Sequence, residues 1–424
     1  MFLILILFLT IFSGQFFLLQ FFVLFISVFV MNFSTILLTK VVISENLTVL
    51  LLLIFIWLYM IVVSIEKDSF VSILSKVSMI LSLGLLLSDN LMLFYVLFEF
   101  NLVPLFVLMM KSGHNKNRLL SGVYIYIYTV LTSLPFLIIV VYFLQLGLSS
   151  FVNLYIYSFT LNYFISLVIF IPFLMKFPLF GLHLWLPKAH VESPTSGSMI
   201  LAGVMMKLGV YAIWQFFFCV YESEAKAVTV GLSLLGGVYS SFMCLFQLDM
   251  KSVIAYSSVV HMSISYAAIL ESKMWGVYSS VVLLSSHAFG SCALFLVCSV
   301  VYDRLFSRSM VLVKGLSNLS LVLSFWLILL FFCNMAVPFS ISMLGELLAL
   351  GGVVSISLVA GGLFMFLSLL INLYNIVVMN SVISFTSIGV FKNFWPLSVK
   401  ENLLLMFLVL PIVCGLFVPD FYVF

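Results

Sequence analysis

Apolar residues run along this chain in blocks of roughly 20, parted by polar stretches of no more than about ten residues, and a block of that length suits a helix crossing a bilayer. The blocks fall at 47–64, 70–88, 91–110, 119–144, 161–186, 196–219, 227–247, 252–270, 275–301, 318–347, 352–379 and 402–418. Before them, Met1 to Met31 is almost uninterrupted apolar sequence that reads as one long helix or as two short ones meeting near Gly14 and Gln15. It has no basic leader and no small-residue cleavage site, so it is read as membrane sequence and not as a removable signal. The pattern predicts about 13 or 14 transmembrane helices. No block shows the weaker two-residue alternation of a barrel strand. The fold class is all-α and polytopic.

Proline interrupts two of these blocks. Pro172 and Pro178 lie in 161–186, and Pro338 lies in 318–347. Each removes a backbone donor and crowds the preceding turn, and a broken helix is tolerated at membrane depth only where protein or a wet cavity satisfies the freed groups. The first block is therefore expected to be a discontinuous helix with Lys176 at its break, and the second a broken helix with Glu346 just beyond the break.

Composition makes the few charges informative. Hydrophobic residues are 65% of the chain and charged residues 7%, against about 25% charged in a typical soluble domain. A formal charge of +3 is too small to suggest nucleic-acid binding, and there is no Lys/Arg-rich run, so no nucleic-acid partner is expected. Cys219, Cys244, Cys292, Cys298, Cys333 and Cys414 stand singly in apolar runs, with no metal-ligand spacing. The basic residues sort by loop. Lys67, Lys111, Lys116, Arg118, Lys188, Lys251, Arg304, Arg308, Lys314, Lys392 and Lys400 occupy alternate loops, while the intervening ones beyond residue 88 hold only Lys226 and Lys273. By the positive-inside rule the first group faces the cytoplasm or a mitochondrial matrix.

Six titratable residues inside the blocks are singled out. Lys207 sits about eight residues, or about 12 Å, from either end of the apolar run Met199 to Phe218. That is too deep for easy snorkelling, and a charge there costs about 2.5–3.5 kcal/mol even on a lenient scale, so it should face protein or water and have a partner. Lys176, Glu99, His261, His287 and Glu346 lie in other blocks. One polar residue alone could simply hold two helices together. Ser, Asn or Gln would do that without burying charge, whereas titratable groups in series are what a proton relay needs. There is no GxxxxGK[ST] and no strand-linked GxGxxG to hold a nucleotide, and the scattered histidines form no obvious haem pair.

At these residues the chain resembles the chain 4 family of NADH:ubiquinone oxidoreductase, respiratory complex I. The resemblance rests on HLWLPKAHVESPTSGSMILAGVMMKLG around Lys207, FYVLFEFNLVPLF around Glu99, DMKSVIAYSSVVHM around His261 and VPFSISMLGEL around Glu346, and it extends through LSVKENLL. It departs at Val260, where the family usually has serine. The resemblance implies an antiporter-like proton-translocating subunit of the mitochondrial inner membrane. It implies N-terminal helices over 1–69, two inverted five-helix repeats over 70–219 and 227–379 with a broken helix in each, and a C-terminal helix and tail over 380–424. Glu99 and Lys176 would form an ion pair, Lys207 and His261, with His287 as a further relay residue, would pass the proton along the axis, and Glu346 would exchange it with the outlet or a neighbouring chain. No cofactor is expected on this chain: FMN, iron-sulfur clusters, NADH and ubiquinone are implied in partner subunits, which would include neighbouring antiporter-like chains beside the lipid bilayer. Two other readings share these residues, a membrane subunit of a cation/proton antiporter and a non-pumping structural spacer.

Overall fold

The computed structural model describes residues 40–66, 68–112, 118–156, 163–217, 223–271, 274–383 and 395–415. The expected helix or helices over the first 31 residues lie outside this set, as do Lys67, Lys116, Lys273 and Lys392. The described chain is helical: α1 (Lys40–Ile65), α2 (Ser69–Leu86), α3 (Leu91–Phe100), α4 (Leu102–Ser112), α5 (Arg118–Gln145), α6 (Tyr163–Lys176), α7 (Trp185–Glu192), α8 (Thr195–Gln215), α9 (Ser223–Phe246), α10 (Met250–Leu270), α11 (Met274–Leu305), α12 (Leu321–Asn334), α13 (Ile341–Ile356), α14 (Leu358–Ile383) and α15 (Val399–Cys414), with two further single turns. Among the described residues nine helical segments are long and apolar enough to cross a membrane, and α6, α12 and α13 are shorter apolar pieces.

The helices are not equivalent. In α8 every residue of the most apolar window is buried, and in α10 and α11 94% are, whereas in α5 the share is 33%. A helix that is apolar all round and shielded all round belongs at the centre of a bundle. So α8, α10 and α11, which carry Lys207, His261 and His287, form the core. Helices such as α5 present Leu131, Ile138 and Tyr142 outward.

Both proline-broken helices are present, with breaks placed somewhat differently from expectation. The helix α6 continues through Pro172 and stops at Lys176, and the irregular stretch follows at Pro178, with Gly181 at φ +87. A proline ring clashes with the carbonyl four residues back, and neighbouring helices compensate for one such kink. The second break spans 335–340, where Ala336 and Phe339 have φ of 55 and 136. Its distal half, α13, runs on to Ile356, so the next helix begins at Leu358 and not near 352.

Two features were not visible as apolar blocks. The span 91–110 is interrupted at Asn101, between α3 and α4, with Pro104 in the first turn of α4, where a missing N–H is tolerated. In α8, Leu201–Met205 forms a π turn in which the Met206 N–H reaches back to the Leu201 carbonyl. Such a turn is often found at functional sites.

One hydrogen-bond pattern occurs twice. Leu91 N donates to Ser149 O and Phe151 N to Asp89 O, at 3.0 and 3.2 Å; Met250 N donates to Arg308 O and Met310 N to Leu248 O, at 3.0 and 2.8 Å. All four residues of the second set follow those of the first by 159 positions, as from Leu91 to Met250.

Candidate functional site

The π turn sets the site. Lys207 lies just beyond it, after Met206, is 0% exposed, and donates from Nζ to the carbonyl of Ala202, five residues back, at 2.6 Å. The same Nζ lies 3.0 Å from Nδ1 of His287 on α11. A protonated lysine has only donors, so here Nδ1 is the acceptor and the ring proton of a neutral His287 sits on Nε2. The ring of His261, on α10, lies 5.7 Å from that of His287, centroid to centroid. Lys207, His287 and His261 therefore form one buried cluster across three core helices. The cluster depends on close packing. A Cβ on Gly203 would meet Leu58 Cδ1 at 2.7 Å and Cys292 Sγ at 2.9 Å, so this glycine lets α8 approach α1 and α11.

Gly209, also on α8, does the same for the first broken helix. A Cβ there would lie 2.9 Å from the backbone N of Phe177 and 3.1 Å from the carbonyl of Phe173. This holds the end of α6, with Lys176, against the helix that bears Lys207. Lys176 is 3% exposed. Its ammonium donates to the carbonyl of Phe98 and lies over the Phe98 ring, 3.1 Å from its centroid. A helix end leaves carbonyls without intrahelical donors, and the interruption after Phe100 supplies one here.

The direct Glu99–Lys176 ion pair implied by the resemblance is not formed in this structure. Glu99, beside Phe98, is near enough for its charge to act on Lys176, but Glu99 Oε1 is buried without a hydrogen-bond partner. A carboxylate pair that is made at contact distance is Arg304–Glu401, at 2.7 Å, where it ties the end of α11 to the start of α15. Glu346, on α13 beyond the second break, likewise has Oε1 buried and unpartnered. The six expected residues thus fall into a central trio, a lysine–glutamate neighbourhood at one break, and a glutamate at the other.

A charged vestibule of about 320 Å³ lies at one end of the bundle, lined among others by Glu66, Asp68, Glu192, Lys251, Asp303 and Arg308. Lys251 Nζ donates to Ser193 O at 3.0 Å, and Arg308 donates to Val191 O at 2.7 Å. These bonds bring Lys251 and Arg308 to the C-terminal end of α7, the helix that bears Lys188. In the loop after α1, Glu66 accepts from Ser75 at 3.0 Å; burial raises its carboxyl above the usual range, an effect that the serine bond lowers only in part.

His190 was not singled out from sequence. It is 0% exposed, its two ring nitrogens have no hydrogen-bond partner, and its ring stacks on Phe295 at 4.8 Å. It sits on α7 just before the vestibule residue Glu192. The signal was present in HLWLPKAHVESP, but a histidine two residues from a glutamate reads as loop-proximal until α7 is seen folded back into the bundle.

Comparison with known proteins agrees with this architecture. The family described as NADH:quinone oxidoreductase/Mrp antiporter, TM, matches residues 88–372. NADH-ubiquinone oxidoreductase chain 4 of Ceratitis capitata is 42% identical over 63% of this chain and 60% of its own length. That of Rhipicephalus sanguineus is 32% identical over 89% of this chain and 87% of its own. With the former, and at 59% with the Aedes aegypti protein, the chain matches less than two thirds of the relative's length. In fold, a chain of respiratory complex I from Thermus thermophilus with bound NADH superposes with a TM-score of 0.81 at 22% identity, covering 89% of this chain and 83% of that one. A chain of the Mrp complex from Dietzia gives 0.74 at 17% identity, covering 80% and 66%. The chain belongs to the membrane-subunit family of NADH:quinone oxidoreductases and Mrp antiporters, together with the chain 4 proteins of animals.

Proposed function

We propose that this chain is a proton-translocating membrane-arm subunit of an NADH:ubiquinone oxidoreductase in the mitochondrial inner membrane. FMN, iron-sulfur clusters, NADH and ubiquinone belong to partner subunits, and neighbouring antiporter-like chains flank this one. One observation carries the reading: the Lys207 ammonium, fully buried, rests between the Ala202 carbonyl and the imidazole of His287, with His261 next in line. A lysine that served only to hold helices would need an acceptor, not an acceptor that itself titrates. In this mechanism protons reach the trio from the basic-loop end, by way of the vestibule and His190, and leave toward Glu346. Glu99 biases Lys176 through space, so that a change in Glu99's surroundings alters the readiness of Lys176 to release its proton, which is the kind of coupling between sites that energy transfer requires.

The twice-used hydrogen-bond pattern supports two repeats, over about 70–219 and 227–379. By the loop alternation, the Leu91 pairing lies at the end away from the basic loops and the Met250 pairing at the basic end, so the repeats are inverted, an arrangement that places transport sites at helix breaks near the midplane. A cation/proton antiporter would share this fold; identities of 32–42% to chain 4 proteins favour the oxidoreductase. The test is Lys207→Ala in the assembled complex. NADH oxidation with proton movement lost supports the proposal, and undiminished proton movement per NADH leaves a structural spacer.

A further inference from the structure

The offset that carries Leu91 to Met250 lets the two repeats be compared position by position. Lys251, Asp303 and Arg308 line the vestibule in the second repeat; the same offset puts Met92, Leu144 and Ser149 at their places in the first. It also sets Phe94 against Val253, Phe98 against Ser257 and Phe151 against Met310. The second repeat therefore meets an open, charged space at the basic end, and the first meets aromatic carbon at the opposite, outer end.

The rings are in contact from that end inward. Phe151, whose N–H bonds Asp89 in the outer pairing, packs edge-on against Phe94 of α3 and against Phe216, the residue that closes α8, each at 5.3 Å between centroids. Phe173 of α6 lies 5.2 Å from Phe216 and 5.6 Å from Phe98. Phe136 of α5 fills the remaining side, 5.1 Å from Phe173 and 5.5 Å from Phe216. All these phenylalanines are buried, and the innermost, Phe98, is the ring over which the Lys176 ammonium rests. Tyr211, beside Phe94, has its hydroxyl engaged, donating to the carbonyl of Leu86 at the end of α2 and accepting from Gln215.

Edge-to-face rings at these separations are ordinary core packing, and packing alone would explain a cluster buried anywhere in the bundle. This one spans the distance from the outer pairing to a buried ammonium. A water molecule needs room and two to four polar partners, and a chain of phenylalanine side chains offers neither, in the way that hydrophobic constrictions close channels by excluding water. We infer that the aromatic cluster is the seal of the outer end of the first repeat: it bars water, and with it protons, from the stretch between that surface and Lys176. The inference rests on the relay reading above, in which Lys176 exchanges a proton. A seal on that side leaves the core helices as the route open to that proton, and it prevents protons already delivered to the outer side from returning to the lysine.

The experiment measures passive proton flux through assembled complex reconstituted in vesicles, without NADH, after an imposed pH step. It compares Phe173→Asn with Phe173→Leu. Both remove ring volume, so a packing defect is common to them, but only asparagine adds polar atoms that can hold water; an apolar cavity stays dry. Phe173→Asn is expected to raise the flux several-fold, Phe173→Leu to leave it at the wild-type level, and Lys176→Ala added to Phe173→Asn to return it to that level. Phe151→Asn, at the outer rim, gives the same comparison with less disturbance of the core. Wild-type flux in the assembled asparagine variants overturns the seal and leaves the relay standing, as does an equal rise with leucine. A rise that Lys176→Ala does not reverse overturns the claim that the cluster guards that lysine. In the same vesicles, undiminished NADH-driven proton movement in Lys207→Ala overturns the relay reading itself.

Discussion

A single side chain in this protein is defined by what it can exchange a proton with. Lys207 has a carbonyl and an imidazole, while Lys176 has a carbonyl and a ring face. In the proposed relay the two lysines therefore differ in role: Lys207 would pass its proton directly to a base, and Lys176 would respond to the charge on Glu99 without touching it. Glu99→Gln removes that charge at nearly constant volume. It is expected to leave assembly intact and to reduce proton-coupled turnover several-fold, checked by pumping and subunit abundance in the same membranes; full pumping would take Glu99 out of the mechanism. At this scale the charged members of the site were legible, because a lysine or glutamate inside an apolar block is costly and stands out. His190 was not. Its pattern in the sequence is that of a loop-proximal histidine, and only its burial against Phe295 marks it out.

The helices show what pattern reading can and cannot supply. Pro178 and Pro338 announced two broken helices. The position of the first break could not be read, since Pro172 is also present and the chain tolerates it inside α6. The interruption at Asn101 and the π turn at Leu201–Met205 leave the apolar pattern unchanged, so periodicity is blind to both, yet one frees the carbonyl that holds Lys176 and the other shapes the turn before Lys207. Gly209 tests how tightly these pieces must fit. Its added methyl in Gly209→Ala would press on the backbone of Phe173 and Phe177, which cannot swing aside as a side-chain tip can, so a loss of about 1–3 kcal/mol is expected from overpacking. Thermal inactivation of the assembled complex measures it, and wild-type stability would mean that α6 and α8 are less closely joined than described.

Over the whole molecule, the alternation of basic loops corresponds to a physical end of the bundle, where Lys251 and Arg308 bond to the carbonyls of Ser193 and Val191 beside the vestibule. Cysteines placed at Lys188 and Arg308 are expected to react with an impermeant reagent from the same side, the matrix side in mitochondria; labelling from opposite sides would break the topology. The central claim is that a proton passes through Lys207, and Lys207→Arg tests it most directly. Arginine keeps the positive charge but is not deprotonated in proteins. Protons moved per NADH, measured in vesicles and normalised to assembled complex, should fall with arginine nearly as far as with alanine; near-normal pumping by the arginine variant would contradict the account.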